Sequence, residues 1–259
     1  MLRIATWNVN SIVARSPHVV RWLQEARPDV LCMQETKCVD DKFPFAELAE
    51  IGYSAQVFGQ ASYNGVAILS KIPCQQIQRG FPEDAADAQA RLLGATIAGI
   101  RILNVYIPNG QAVGSTKYEF KLAWMRRLRT FFDSHYSSGE RVVLCGDFNV
   151  APEDRDVYDP ELWRGKIMCS PGEREALEQI KSWGFVDAFR LHEQAAGHFS
   201  WWDYRAGAFR RNRGLRIDHV WISEPLRNQS QSVRIDRQPR TWERPSDHAP
   251  VIADFHGES

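Results

Sequence analysis

The chain carries no excess of either charge: 32 lysines and arginines face 32 aspartates and glutamates, for a formal net charge of zero. A nonspecific coat of nucleic acid is therefore disfavoured, and any binding face must come from uneven local distribution. Cysteine is sparse and odd in number. The five cysteines, Cys32, Cys38, Cys74, Cys145 and Cys169, lack zinc-site spacing and read as reduced, mostly buried thiols of a cytosolic protein. No apolar run approaches membrane-spanning length. There is no low-complexity linker and no tandem repeat of fixed period. Glycine-rich phosphate loops of the P-loop and Rossmann types are also missing, which disfavours a nucleotide-driven enzyme. Strand character begins at the second residue, so no signal or transit peptide is expected ahead of the fold.

What is present fits a single globular domain over residues 1–259, with 44% hydrophobic and 25% charged residues. Leu2–Val9 reads as a strand, and Pro17–Ala26 as a helix started by Ser16 with Pro17 in its first turn. Asp29–Gln34 is nearly all apolar and reads as a strand buried on both faces. Short strands are expected near 53–58, 64–70, 75–81, 91–98 and 100–107. A long helix over about 115–135 places Tyr118, Leu122, Met125 and Phe132 on one face. Arg141–Cys145 is another apolar strand; a helix near 172–182 and strands near 199–202, 217–223, 231–237 and 250–255 complete the chain. The pattern predicts an α/β fold of two packed sheets with helices outside. Two halves each open with an apolar strand feeding polar residues, which leaves internal duplication open.

Charge is segregated locally. Arg205, Arg210, Arg211, Arg213 and Arg216 crowd one segment, while Lys117, Lys121, Arg126, Arg127 and Arg129 crowd the long helix, where they read as a solvated face. Acidic residues gather around 40–50, 83–87 and 153–161.

Four apolar strands end in polar residues: Trp7-Asn8-Val9-Asn10, Met33-Gln34-Glu35-Thr36, Gly146-Asp147-Phe148-Asn149 and Pro245-Ser246-Asp247-His248-Ala249-Pro250. Asp, Asn and Ser end strands for turn reasons alone. Four such ends offering carboxylates, carboxamides and a histidine together predict convergence at one rim. That assortment suits a hard, oxygen-bound cation and hydrolysis of a phosphate ester.

With Tyr106-Ile107-Pro108-Asn109-Gly110 and Arg216-Ile217-Asp218-His219, these motifs resemble the exonuclease III family of apurinic/apyrimidinic (AP) endonucleases. They run in family order over residues 6–250. The resemblance implies a four-layered α/β sandwich, two packed mainly antiparallel or mixed sheets flanked by helices. It implies Mg²⁺ dependence, with Mn²⁺ able to substitute. It also implies cleavage of duplex DNA on the 5′ side of abasic sites in base-excision repair, with 3′-phosphodiesterase and some 3′→5′ exonuclease activity at blocked 3′ ends. A cytoplasmic, nucleoid-associated monomer with no membrane partner is the corresponding setting.

Such a reaction needs an activated water, neutralised phosphate oxygens and help for the leaving 3′-oxygen. Glu35, at a strand end, fits the main metal ligand, with Asn8 orienting it or a metal-bound water. Asp147 and Asn149 are two apart on a segment expected to be extended, so both side chains aim one way. The carboxylate can position or deprotonate the attacking water, and the amide can donate to a phosphate oxygen. Asp218 beside His248 would raise the imidazole pKa and keep it charged. By resemblance Asp247 lies towards the metal and the leaving group, and Asn8, Glu35, Asp147, Asn149, Asp247 and His248 form the metal surroundings. Tyr106 is raised to a site residue by the resemblance, as a phenol donor or a phenolate, and Asn109 reaches a neighbouring phosphate or serves as a turn residue. The resemblance also makes Trp201, Leu215 and Ile217 the lining of a pocket for a flipped-out, base-less sugar. Arg205, Arg210, Arg211, Arg213 and Arg216 read as a loop entering a DNA groove. Two rivals remain: a phosphoesterase of the same fold acting on an inositol phosphate or sphingolipid, and a noncatalytic DNA-damage binding protein. The first would lack the Arg- and aromatic-rich 199–217 segment; the second would have lost Glu35, Asp147 or His248.

Overall fold

The apolar strands pair into two six-stranded sheets in the computed structural model, which describes residues 1–85 and 88–256. The first comprises β1 (Leu2–Asn8), β2 (Val30–Gln34), β3 (Ser54–Phe58), β4 (Val66–Ser70), β11 (Ser230–Ile235) and β12 (Val251–Phe255), ordered β11-β12-β1-β2-β4-β3. The second comprises β5 (Gln75–Arg79), β6 (Leu92–Ile97), β7 (Ile100–Tyr106), β8 (Val142–Asp147), β9 (Phe185–Asp187) and β10 (Asp218–Ser223), ordered β5-β6-β7-β8-β10-β9.

Each sheet has one parallel pair at its centre, β1–β2 and β7–β8, and its other neighbours are antiparallel. A parallel pair needs a crossover, and both crossovers are helices: α1 (Ile12–Ala26) and α3 (Thr116–His135). The two sheets therefore repeat one pairing pattern. The hairpin β11–β12, last in the chain, takes the place in the first sheet that β5–β6 takes in the second. Each half that opens with an apolar strand thus builds the centre of one sheet in the same topology.

Strands buried on both faces explain the nearly continuous apolar runs. Ile4, Cys32 and Ile68 of the first sheet meet Ile102, Val143 and Val220 of the second in a shared core. Outside the first sheet, Trp22 and Leu23 of α1 and Leu48 of α2 (Phe45–Glu50) cover Ala5 and Leu31. Outside the second, Met125, Leu128 and Phe132 of α3 and Leu177 and Ile180 of α5 (Pro171–Lys181) cover Leu103, Val105 and Leu144. Short helices α4 (Pro160–Trp163) and α6 (Ala188–His192) lie in the second half. The result is the expected four-layered sandwich.

Two amides pin the sheets together. Gln34 Nε2 donates to Thr6 Oγ1 (2.8 Å) and to Asn104 Oδ1 of β7 (2.7 Å), and Asn104 Nδ2 donates back to the carbonyls of Met33 and Ala67 (both 2.9 Å). Buried hydrogen bonds of this kind fix register where an apolar contact would tolerate sliding. They lie directly beneath the edge where β1 and β2 end.

Two expectations are corrected. Helix α1 begins at Ile12 with Ser11 as its N-cap, so Ser16 and Pro17 lie within it. Pro17 is tolerated because the carbonyl its missing N–H would have served belongs to Val13, which faces solvent. The segment 199–202 is not a strand; Trp201 makes only isolated bridges to Leu215 and His248. All five cysteines are free thiols, four buried and Cys74 half-buried. No helix among the described residues is long and apolar enough to cross a membrane. Of the acidic stretch 83–87, residues 86–87 lie outside the described residues.

Candidate active site

Parallel pairing brings strand C-termini to one edge, and register does the rest. Asn8 lies level with Gln34, just before Glu35; Tyr106 lies level with Asp147; and Asp147 lies level with Asp218 on the antiparallel β10. The bridge from Trp201 to His248 brings in the segment before β12. The predicted convergence is thus a consequence of topology.

The backbone at this rim is unusual. Asn10, Ser11, Glu35, Lys37 and Asn149 all have positive φ, between 46° and 86°, a region costly for residues with a Cβ. Asn149 is therefore not on an extended segment as expected. Its N–H donates to Asp147 Oδ1 at 2.9 Å, an Asx turn, so the turn and site readings of these residues coexist. Gly146, at φ 145°, has a further reason: a Cβ there would sit 1.9 Å from the carbonyl oxygen of Val105, blocking the approach of β8 to β7.

Asn8 Nδ2 bridges the two principal carboxylates, donating to Glu35 Oε1 and Asp147 Oδ2, both at 2.9 Å. Its Oδ1 accepts from the Asn10 N–H at 3.0 Å, so the amide is fixed in an orientation that holds both acids. Glu35 Oε2 meets Lys37 Nζ at 2.8 Å. Burial alone would favour the neutral acid of Glu35, but Lys37, Asn8 and His248 hold its pKa below the ordinary carboxyl value. Asp147 is more deeply buried, and burial pushes its pKa up to about 7 against the opposing pull of His248 and Asn8.

His248 Nδ1 lies 2.9 Å from Asp218 Oδ2, and its Nε2 lies 3.8 Å from Asp147 Oδ2. Burial opposes the imidazolium, but Asp218, Asp147 and Asp247 prevail and raise its pKa to about 10. Asp218 is itself held by Ser200 Oγ at 2.6 Å. Asp247 accepts from Trp201 Nε1 (2.9 Å) and Asn10 Nδ2 (3.1 Å); burial would raise its pKa, but His248 and these donors lower it. Tyr106 has its pKa pushed well above the phenol value, by burial first and then by Glu35 and Asp147. That disfavours the phenolate reading and leaves a neutral donor. Asn109 Nδ2 donates to Asn149 Oδ1 at 3.1 Å, and Asn149 Nδ2 to the carbonyl of Ile107 at 2.9 Å.

One ligand atom each from Glu35, Asp147 and His248 lie within 4.8 Å of one another. A buried carboxylate whose pKa is pushed towards neutrality even with His248 beside it would be favoured by further positive charge, which a divalent cation would supply. Two carboxylates suit Mg²⁺, which takes one or two and fills its remaining positions with water and phosphate. His248, with its pKa raised to about 10, carries a proton on both ring nitrogens near neutral pH and so fits a hydrogen-bonding role better than a ligand role.

Peripheral residues separate into those that face out and those that do not. Arg205, Arg210, Arg211 and Arg213 are exposed, and Tyr204, just before them, ties their loop to the rim by accepting from Asn10 Nδ2 (3.2 Å) and donating to the Pro245 carbonyl (2.9 Å). Arg216 is a correction: it is buried between Asp156 (2.6 Å) and Asp187 (2.7 Å), with His219 Nδ1 at 3.0 Å, and reaches no DNA-facing surface. Lys121 is a second correction. It is fully buried, paired with Glu173, and not on a solvated face. Leu215 and Ile217 are also fully buried, packed with Val157 and Met168, so of the expected pocket residues only Trp201 presents surface.

Several functional neighbours escaped the sequence reading: Asn10, Lys37, Ser200 and Ser246, whose Oγ donates to the Asn8 carbonyl at 2.6 Å. Asn10, Lys37 and Ser246 lie two residues from Asn8, Glu35 and His248, and that spacing was the available signal. Ser200 carried none.

Known proteins share this fold. Residues 5–248 match the model of the Endonuclease/Exonuclease/phosphatase family. Exodeoxyribonuclease III of Haemophilus influenzae is 33% identical over 266 residues, spanning 98% of this chain and 100% of the relative. Among solved structures, an AP endonuclease from Archaeoglobus fulgidus superimposes with a TM-score of 0.95 at 39% identity, covering 99% of this chain and 100% of that one. A 3′ phosphatase from Neisseria bound to a product DNA hairpin gives 0.94 at 41% identity, with the same coverage of each chain.

Proposed function

Because the chain belongs to the endonuclease/exonuclease/phosphatase family, and within it is a phosphodiester hydrolase of the exonuclease III and AP endonuclease type, we propose that it cuts duplex DNA 5′ to abasic sites with Mg²⁺, as a step of base-excision repair. Processing of blocked 3′ ends is a second activity of the same centre, favoured by the likeness to a 3′ phosphatase. The observation that carries the reading is the meeting of Glu35, Asp147 and His248 at one rim. It counts against a noncatalytic DNA-binding role, which has no use for that cluster. The exposed arginine loop joined to the rim through Tyr204 favours DNA over an inositol phosphate or a lipid.

Glu35 and Asp147 would hold the cation, which when bound neutralises phosphate charge and the departing 3′-oxygen. Asp147 accepts the proton of the attacking water or aligns it, while Asn8 keeps both carboxylates in place. His248, kept charged by Asp218, donates to a phosphate oxygen from Nε2. Tyr106 and Asn149 add neutral donors that do not repel the anion. Asp247, anchored by Trp201 and Asn10, faces the leaving-group side.

The test is cleavage of a duplex with one tetrahydrofuran site. Wild-type protein should cut it in Mg²⁺ and stop in EDTA. Glu35→Gln should require roughly tenfold more Mg²⁺ for half-maximal rate, with partial recovery at high metal, as expected when a ligand loses its charge. Unaltered Mg²⁺ dependence in that variant removes Glu35 from the metal site.

DNA contact is tested separately. If Arg210, Arg211 and Arg213 each neutralise a phosphate, replacing all three by Ala should flatten the slope of log affinity against log salt by roughly 2.7, from about 0.9 per contact. Arg126→Ala and Arg129→Ala, on the far helix face, should leave it unchanged. Binding to uncleaved abasic duplex in Ca²⁺ across a salt series reads both, and an equal loss in the helix variants places the DNA elsewhere.

A further inference from the structure

Helix α3 carries a lysine where its apolar stripe should continue. Met125, Leu128 and Phe132 face the second sheet, Tyr118 meets Ser170 at the start of α5, and Lys121 lies on the same stripe with no exposed surface. Its Nζ has three acceptors for its three hydrogens: the carbonyl oxygen of Asn149 at 2.8 Å, the carbonyl oxygen of Asn109 at 3.2 Å, and Glu173 Oε1. Glu173 is equally buried and equally satisfied. Its Oε1 also accepts from the Met168 N–H (2.9 Å), and its Oε2 accepts from the N–H (3.0 Å) and Oγ (2.6 Å) of Ser170, the capping box of α5.

A fully buried ion pair is a poor device for stability, since two well-packed apolar side chains of similar volume serve as well or better. Apolar groups could not, however, bind two backbone carbonyls. Both carbonyls belong to residues of the active rim, on loops from different strands: Asn109 follows β7 and Asn149 follows β8. Asn149 is also at φ 52°, a left-handed conformation that turns its carbonyl inward to Lys121. From the solvent side the two residues are joined by the bond from Asn109 Nδ2 to Asn149 Oδ1. Lys121 closes the same pair from the protein side. The ammonium thus clamps two loops against the start of α5.

Resting on the function proposed above, we infer that Lys121 is a positioning residue of the active site, holding the Asn109 and Asn149 backbones so that their amides stay aimed at the scissile phosphate. Lys121 touches no reacting atom. Its loss loosens the aim of Asn149 and, through the Asn149 N–H, the placement of Asp147 Oδ1. Misplacement of about 1 Å costs on the order of 10²-fold in rate, whereas ground-state binding through the arginine loop is untouched.

The experiment compares wild type, Lys121→Met, Asn149→Ala, their combination, and Lys121→Met with Glu173→Gln. The last variant removes the carboxylate that Lys121→Met strands, so that it remains folded if the single variant does not. Single-turnover cleavage of the tetrahydrofuran duplex should fall about 10–100-fold in both Lys121 variants. Affinity for uncleaved duplex in Ca²⁺ should change less than about threefold, a split that a merely structural lesion does not give. In the Asn149→Ala background, Lys121→Met should cost little more, because the group it aims is gone. Hydrogen exchange at the Asn149 amide should quicken about tenfold or more in the folded Lys121 variants. If the protein leaves the abasic duplex uncut while exchange still responds, the substrate assignment fails and the positioning role stands. A normal rate with normal exchange in the Glu173→Gln double variant, or full additivity with Asn149→Ala, overturns it.

Discussion

His248→Ala should lower the single-turnover rate by about 10²–10⁴-fold, the range for losing a group that donates or accepts a proton in the transition state, and Asp147→Asn should do the same. The two variants are expected to differ in binding. Asp147→Asn removes a negative charge 3.8 Å from His248 Nε2, so affinity for uncleaved duplex should hold or rise. His248→Ala removes a buried cation and leaves Asp218, Asp147 and Asp247 to repel the phosphate, so affinity should fall. A near-normal rate in either variant takes that residue out of the chemistry.

His248 also has a pH signature in metal-free protein. Its folded pKa of about 10 lies above the ordinary 6.5, because Asp218, Asp147 and Asp247 overcome the cost of burial. A raised pKa means the folded state binds the proton more tightly. The stabilisation is therefore complete below about pH 6.5 and is lost as pH rises through about 10. The stability difference between wild type and His248→Ala, measured by denaturant unfolding in EDTA, should shrink across that window. A difference that stays constant from pH 6 to 10 would mean the imidazole is not held charged.

Much of this site was legible because its chemistry sits at strand ends. Apolar runs such as Asp29–Gln34 mark strands, and the polar residue that follows each run marks the edge where parallel pairing must bring strand ends together. What could not be read were partners distant in sequence. Lys121 lies on the stripe of Tyr118, Met125 and Phe132, three residues after the first and four before the second, and that spacing was the available signal of burial. Charge outweighed it, since an ammonium buried with three acceptors cannot be foreseen unless Asn109, Asn149 and Glu173 are known to meet it. The turn at Asn149 was missed for a related reason: an extended segment and an Asx turn both place polar residues two apart, and only the backbone distinguishes them. The same blindness put Arg216 in a DNA-binding loop with four exposed arginines, although it lies between Leu215 and Ile217, both fully buried.

Arg216 accordingly carries the largest expected effect on stability. Its guanidinium bridges Asp156 and Asp187, lies against His219 Nδ1, and has 1% of its side chain exposed. Asp156 has a second cation in Arg190, whereas Asp187 pairs with Arg216 alone among the described residues. Removing one member of a buried pair strands a charge, and Arg216→Met should therefore destabilise the fold by about 3–5 kcal/mol. Its pH dependence follows from the carboxylates. Burial would raise the pKa of Asp156 and of Asp187, but Arg216 overcomes it and holds both below the ordinary 3.8. In wild type their stabilisation is present above about pH 3.8 and is lost as pH falls through the folded pKa values. In Arg216→Met the stranded Asp187 takes up a proton more readily, so the deficit should narrow as pH is lowered from 7 to 5. His219 stays neutral, its pKa lowered to about 4 by burial and by Arg216, and gains a proton more easily in the variant, which works in the same direction. The salt dependence of DNA affinity should not change, because Arg216 contacts no phosphate. Denaturant unfolding at several pH values and a salt series on the folded variant read the two results independently. A stable Arg216→Met protein with a flattened salt slope would return this residue to the DNA surface.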